Sequence, residues 1–174
     1  VILNLGAQYY TALQGVITAA RLSRMQRWAQ DAVPAMAAIQ SYPLHLAAVE
    51  PNAEFIVEVA ACGFDSVTHY VHLPEWKGPS LQDYREMAAK RAGEWADLGA
   101  RSGLPYMPSV APGWDASPRG ADFGKTRPDR YPWSPVITGE HPEHFQESLA
   151  RALAFPVKAE EPLTFVASLN EWSE

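Results

Sequence analysis

Cysteine is almost missing from this chain: Cys62 is the only one in 174 residues. A lone thiol cannot close an intrachain disulfide and cannot build a thiolate zinc site by itself. Redox compartment therefore stays open. Positive charge is also scarce, with 14 Lys and Arg against 20 Asp and Glu and a formal net charge of −6. That balance offers no electrostatic footprint for a phosphate backbone, so nucleic acid is not the expected partner. A sugar or other neutral polar ligand fits better. Long apolar runs are lacking too: none reaches the roughly 18 to 20 residues that a membrane-crossing helix requires, and no basic-then-apolar leader with a cleavage site is visible. What the chain does have is a 47% hydrophobic content, enough for a sizeable core and too much for disorder. It opens at Val1 inside what reads as a strand and stops at Glu174 inside what reads as a site. The expectation is one incomplete domain over residues 1–174, cut at both ends, with cytoplasmic and exported locations both open.

Strand patterns alternate with helix patterns. Residues 1–5 are a continuous apolar run closed by Gly6, which suits a strand buried on both faces. Leu13, Val16, Ile17 and Ala20 are helically spaced, and Asp31 with Pro34 marks a second helix start, so residues up to Gln40 read as helix, break, helix. The row Arg21, Arg24 and Arg27 reads as a solvated face. A second apolar run covers 44–49. Pro51-Asn52 then opens a short helix with Phe55, Ile56 and Val59 on one side and Gly63 at its end. A strand is expected over 65–70. Ser80-Leu81-Gln82-Asp83 has the form of a capping box, and Leu81, Tyr84, Met87, Ala88, Arg91, Trp95 and Leu98 run at helical spacing until Gly103. Further on come a strand over 104–110, a polar stretch rich in Pro and Gly, a helix from Pro142 with Phe145, Leu149 and Leu153 facing inward, and a last strand over 163–169.

Such alternation predicts an α/β fold with a parallel sheet joined by right-handed crossovers, which places chemistry at the C-terminal ends of strands. An open doubly wound sheet and part of an eightfold barrel both accommodate the order. Length favours the open sheet, whereas the cut ends and the lack of any Gly-rich phosphate loop after a strand favour the barrel.

Polar residues capable of chemistry gather just past these strand ends. His69 and Tyr70 lie in the first cluster, with His72 beyond. Three residues apart in an extended segment, His69 and His72 point to opposite faces, and no carboxylate follows at ligand spacing, so they read as hydrogen-bonding histidines and not as a metal pair. His141 and His144, at a helix start, read the same way. No metal and no cofactor is expected. In the second cluster Pro112 and Gly113 turn the chain and deliver Trp114, Asp115 and Arg119 together. Trp114 can stack on a pyranose while Asp115 and Arg119 bind hydroxyls; equally, Trp114 can plug the fold above a structural Asp–Arg pair. Tyr131 and Trp133 are secondary candidates for the same platform. The third cluster holds Glu171 and Glu174 on either side of Trp172. In a straight strand the two would diverge by roughly 10 Å. A turn brings its ends within about 7 Å, inside the range of about 5 to 9 Å between the paired carboxyls of glycosidases.

Asn170-Glu171-Trp172-Ser173-Glu174, after the run Thr164-Phe165-Val166-Ala167-Ser168-Leu169, resembles the Asn-Glu-Trp-x-Glu signature of glycoside hydrolase family 99 and its larger relatives, the family 99-like proteins of the WbsX type found with lipopolysaccharide and polysaccharide synthesis genes. Pro112-Gly113-Trp114-Asp115 with Arg119 is similar to the Pro-Gly-x-Asp…Arg segment of the WbsX-like branch, and Gly63-Phe64-Asp65-Ser66-Val67 to its Gly-Phe-Asp-x-Val strand. The matches fall in family order and cover roughly residues 44 to 174. The resemblance implies a partial (β/α)8 TIM barrel of which this chain is the later part. It also implies a retaining glycosidase acting on a polysaccharide or oligosaccharide, α-mannosides among them. Glu171 would act as base on the substrate 2-hydroxyl, giving a 1,2-anhydro sugar, and Glu174 as acid on the leaving oxygen and then as base for water. Asn170 and Trp172 would line the substrate site. Mannan-cleaving members carry His where Ser173 stands, so the WbsX-like branch is the closer likeness. The competing expectation is a protein of surface-polysaccharide assembly that transfers sugars or has no catalysis at all.

Overall fold

The computed structural model describes residues 45–51, 55–70, 73–123 and 126–167. The strand expected over 1–5, the helices expected up to Gln40, His72 and the whole Asn170 to Glu174 motif lie outside them. Among the described residues the chain is mixed α/β: β1 (Ala47–Val49), β2 (Ser66–Thr68), β3 (Leu81–Asp83), α1 (Tyr84–Ser102), β4 (Ser109–Val110), a 3-10 helix (Ser117–Phe123), β5 (Val136–Thr138), α2 (Pro142–Ala154) and β6 (Phe165–Val166). Every strand pair is parallel, as the alternating pattern predicts. Contacts divide the chain into two compact units.

The first unit comprises the described parts of Val1–Tyr70, Trp95–Met107 and Val157–Pro162. β1 pairs with β2 in the register Ala47↔Ser66 to Val49↔Thr68, and Val67 bridges in parallel to Tyr106. Asp65 fixes the start of this pairing, since its Oδ2 accepts the Leu46 N–H at 2.7 Å. Residues 55–63 form consecutive turns and not the expected helix. Its hydrogen bonds are largely of the tight three-residue kind, Glu58 N–H to Phe55 O and Gly63 N–H to Ala60 O. The β-branched residues Ile56, Val57 and Val59 weaken helical order there. The expected apolar face is nevertheless inside: Phe55, Ile56 and Val59 are all buried, and Gly63 ends the segment with φ +82°. Cys62 is buried with them. Desolvation, and then the Glu58 carboxylate, push its thiol up, which disfavours the thiolate. Gly99 of α1 faces Tyr106, where an added Cβ would stand in ordinary contact, 3.4 Å from the Tyr106 Cβ.

The second unit comprises the described parts of Val71–Glu94, Pro108–Pro156 and Leu163–Glu174. β3 pairs with β5 and β4 with β6, the latter in the register Ser109↔Phe165 and Val110↔Val166. Residues 81–83 belong to this pairing, so α1 begins later than the Ser80 capping pattern predicts. Asp83 caps it instead: its Oδ1 accepts the Glu86 N–H at 3.0 Å, and Asp83 with Glu86 has the spacing of a capping box. Leu81, expected inside, is 67% exposed, whereas Tyr84, Met87, Ala88 and Trp95 are buried as their spacing predicts. Gly103 ends α1 with φ +69°. α2 starts at Pro142 as expected, but its buried residues are Ser148 and Ala152, and Leu153 is exposed. Small side chains on the inner face let α2 lie close on β4, which leaves Phe145 and Leu149 half-buried and turns Leu153 outward.

Tyr84 ties α1 to the end of β4. It is 1% exposed and its hydroxyl donates to Ala111 O at 2.8 Å. Burial pushes its phenol up, partly offset by a hydrogen bond with Ser148. Tyr84→Phe leaves the buried carbonyl without this donor. The expected loss is about 1 to 3 kcal/mol, read as a lower urea midpoint with an unchanged slope; an unshifted midpoint would show that the bond contributes nothing net.

Candidate functional site

The second unit gathers its aromatic side chains around the loop that leaves β4. Ala111 is buried, Pro112 is exposed, and the chain then turns Trp114 inward until only 8% of it is accessible. The Trp114 carbonyl accepts the Ile137 N–H at 2.9 Å, which pins this loop to β5. Its indole Nε1 is buried with no hydrogen-bond partner among the described residues. Asp115 turns back on its own backbone: Oδ1 accepts the Ser117 N–H at 2.8 Å and so opens the 3-10 helix Ser117–Phe123. Arg119, on that helix, is exposed and donates from a guanidinium nitrogen to the Tyr131 hydroxyl at 3.1 Å.

Trp76 completes the group. Its ring meets Trp114 edge-on, with centroids 6.2 Å apart and planes at 89°, and meets Tyr131 at 6.3 Å and 64°. Trp76 is 51% and Tyr131 49% exposed. The loop bearing Trp76 is held by Gln82, whose Oε1 accepts the Glu75 N–H at 2.8 Å while its Nε2 donates to Glu75 O at 2.9 Å and Pro79 O at 3.0 Å. Lys90 adds an ion pair to Glu75. The loop bearing Tyr131 is tied to the same region by Ser80, whose hydroxyl donates to Asp129 Oδ1 at 2.8 Å. Hydrogen bonds from Ser134 and Ser80 hold the Asp129 carboxyl below its usual range.

Of the residues expected in the sugar platform, Trp114, Arg119 and Tyr131 therefore fall in one cluster, with altered roles. Trp114 is the ring behind, and the accessible aromatic surface belongs to Trp76 and Tyr131. Asp115 is engaged in a turn with Ser117. Trp133 packs on Gly120, where an added Cβ would lie 2.8 Å from Trp133 Cζ2 and closer still to its Nε1. Gly120→Ala must push that indole aside. An overpacking cost of about 1 to 3 kcal/mol is expected, with an altered near-ultraviolet circular dichroism spectrum; an unchanged spectrum and melting temperature would mean the ring has room to give. Sequence reasoning missed Trp76. Its signal was an aromatic residue between the charged Glu75 and Lys77 and flanked by the turn formers Pro74 and Gly78, a setting with no helical or strand periodicity to bury it.

His69 and Tyr70 belong to the first unit. His69 is buried at the end of β2, with Nδ1 in a hydrogen bond to the Tyr106 hydroxyl and the two rings 5.7 Å apart. Tyr106 in turn stacks on Trp95 at 6.1 Å. Thr68, next to His69, donates to Met107 O at 2.7 Å. His69 is thus a hydrogen-bonding histidine inside an aromatic stack, and Tyr70 lies half-buried beyond it. Glu50, just past β1, has φ +46° and donates its N–H to Thr68 O at 2.8 Å. This non-glycine left-handed residue at a strand's C-terminal end is a second feature with no sequence signal. His144 Nδ1 donates to Gly139 O at 2.7 Å and His141 pairs with Glu143. Among the described residues no group of three His, Cys, Asp or Glu could hold a metal ion, and no helix is long and apolar enough to cross a membrane. Glu171, Glu174, Asn170 and Trp172 lie outside the described residues. A scan of family models and a search of curated proteins each return no match to this chain.

Proposed function

We propose that this chain is the later part of a (β/α)8 glycoside hydrolase domain acting on a polysaccharide or oligosaccharide by a retaining mechanism. The observation that carries the reading is the parallel pairing of β4 with β6. Ala167 N–H donates to Val110 O at 2.8 Å, so the segment toward Trp114, Asp115 and Arg119 and the segment toward Asn170 and the two glutamates depart from the same edge of one strand pair. Catalytic residues of eightfold barrels come from that edge, the C-terminal one. The parallel succession of β1, β2 and the Tyr106 segment is compatible with the winding of a barrel, as it is with one half of a doubly wound sheet. The likeness of the Asn170 to Glu174 motif to family 99 supplies the roles. Glu171 removes the proton of the substrate 2-hydroxyl, whose oxygen displaces the leaving group. Glu174 protonates that group and then deprotonates the water that opens the anhydro sugar, while Glu171 returns its proton to the 2-oxygen as the ring opens. Glu174 must be protonated at the outset, which burial or the neighbouring Glu171 charge would favour. The test is to incubate the full chain with mannans and bacterial surface polysaccharides and follow new reducing ends by proton NMR. Products with retained anomeric configuration are expected. Inverted products would refute the double-displacement chemistry, and sugar transfer in place of hydrolysis would support the polysaccharide-assembly alternative.

A further inference from the structure

We infer that Trp76 and Tyr131, with Arg119, form a pyranose-binding corner in which Trp76 is the stacking ring. This rests on the carbohydrate reading above and adds a residue to it. Both rings are about half exposed, and their planes meet at 64° with centroids 6.3 Å apart. One ring can therefore cover the C–H face of a sugar while the other borders its edge. Two adjacent aromatic rings left in water carry an unfavourable apolar exposure that a flat sugar face relieves. A merely mobile surface tryptophan would give little affinity, because ordering it on binding costs free energy. Here Gln82 fixes its loop, Trp114 backs its ring, and the Ser80–Asp129 bond tethers the Tyr131 loop, so the corner exists before the ligand arrives. The polar groups sit where sugar hydroxyls need them. Tyr131 accepts from Arg119, which leaves its own O–H to donate to a sugar oxygen and places a positive charge beside the corner.

The experiment is a binding measurement on an array of defined oligosaccharides, covering α-linked hexoses, uronate-containing chains and O-antigen repeats. It compares the full chain with its Trp76→Ala, Trp76→Phe and Glu171→Gln variants. Expected is binding of at least one oligosaccharide, weakened about tenfold or more by Trp76→Ala, less by Trp76→Phe, and kept by Glu171→Gln. Equal affinity in Trp76→Ala overturns the corner while leaving the glycosidase reading intact. No binding by the unaltered chain overturns both. A Trp76→Ala effect confined to self-association in sedimentation makes the patch a contact between copies and overturns the sugar assignment. Should Trp76→Ala fail to fold, N-bromosuccinimide oxidation of the unaltered chain decides: bound oligosaccharide must slow oxidation of the Trp76 peptide, and equal rates with and without it refute the inference.

Discussion

Glu171→Gln and Glu174→Gln are each expected to lower the rate of polysaccharide cleavage by about 10²- to 10⁴-fold, with saccharide affinity retained. Glutamine keeps the size and hydrogen-bonding reach of glutamate but can neither give nor take the proton. The two variants should differ in a way that assigns the roles. A general acid matters only when the leaving group needs a proton, so Glu174→Gln should keep most of its first-step rate on a dinitrophenyl glycoside, and Glu171→Gln should not. The pH profile should divide in parallel. The acid works only when protonated, so wild-type activity falls as pH rises through its pKa, and Glu174→Gln loses this alkaline limb. The base works only when ionised, so the acidic limb disappears with Glu171→Gln. Full activity in both variants would remove the mechanism; loss of binding together with turnover would make the residues structural.

Trp95→Ala should produce the largest loss of stability. Trp95 is 2% exposed at the junction of α1 with the strands of the first unit, where it stacks on Tyr106, which holds His69. Truncation to alanine removes the transfer free energy of an indole and leaves a cavity that packed neighbours only partly fill. Such substitutions cost about 3 to 5 kcal/mol, a large part of the roughly 5 to 15 kcal/mol that holds a domain together. At about 2 to 4 °C per kcal/mol, calorimetry should show the melting temperature falling by roughly 6 to 20 °C, and the tyrosine signal in near-ultraviolet circular dichroism should weaken. Trp95→Phe keeps the stacking and should lose less. A shift of a degree or two in the alanine variant would mean the ring contributes little beyond covering the surface.

Much of the scaffold was legible beforehand because it depends on neighbours in sequence. The 19 residues of α1 run to the Gly103 stop and bury Tyr84, Met87, Ala88 and Trp95, as their spacing requires. Pro142 opens α2 where a missing N–H does no harm. Strands appear inside the runs expected over 44–49, 65–70, 104–110 and 163–169, though shorter. β3 and β5 had no such signal. Leu81–Asp83 looks like a helix start, and Val136–Thr138 follows a Pro-rich loop; each becomes a strand only by pairing with the other across more than fifty residues. The same dependence explains why Leu153 faces out: which stripe of α2 is buried follows from how near it can lie to β4, a matter settled by Ser148 and Ala152.

The aromatic cluster divides along the same line. Residue order alone determined that Trp114, Asp115 and Arg119 come off the end of one strand, and that the Glu171 and Glu174 pair follows another. Tertiary packing decided that Trp114 lies beneath, that Asp115 turns back to Ser117, and that Trp76, from a separate loop, is the ring left facing water. The physical reason is range. Turn chemistry and hydrophobic periodicity act over a few residues and can be read from them, whereas accessibility is set by whatever distant segments arrive on top, here the loops held by Gln82 and by the Ser80–Asp129 bond.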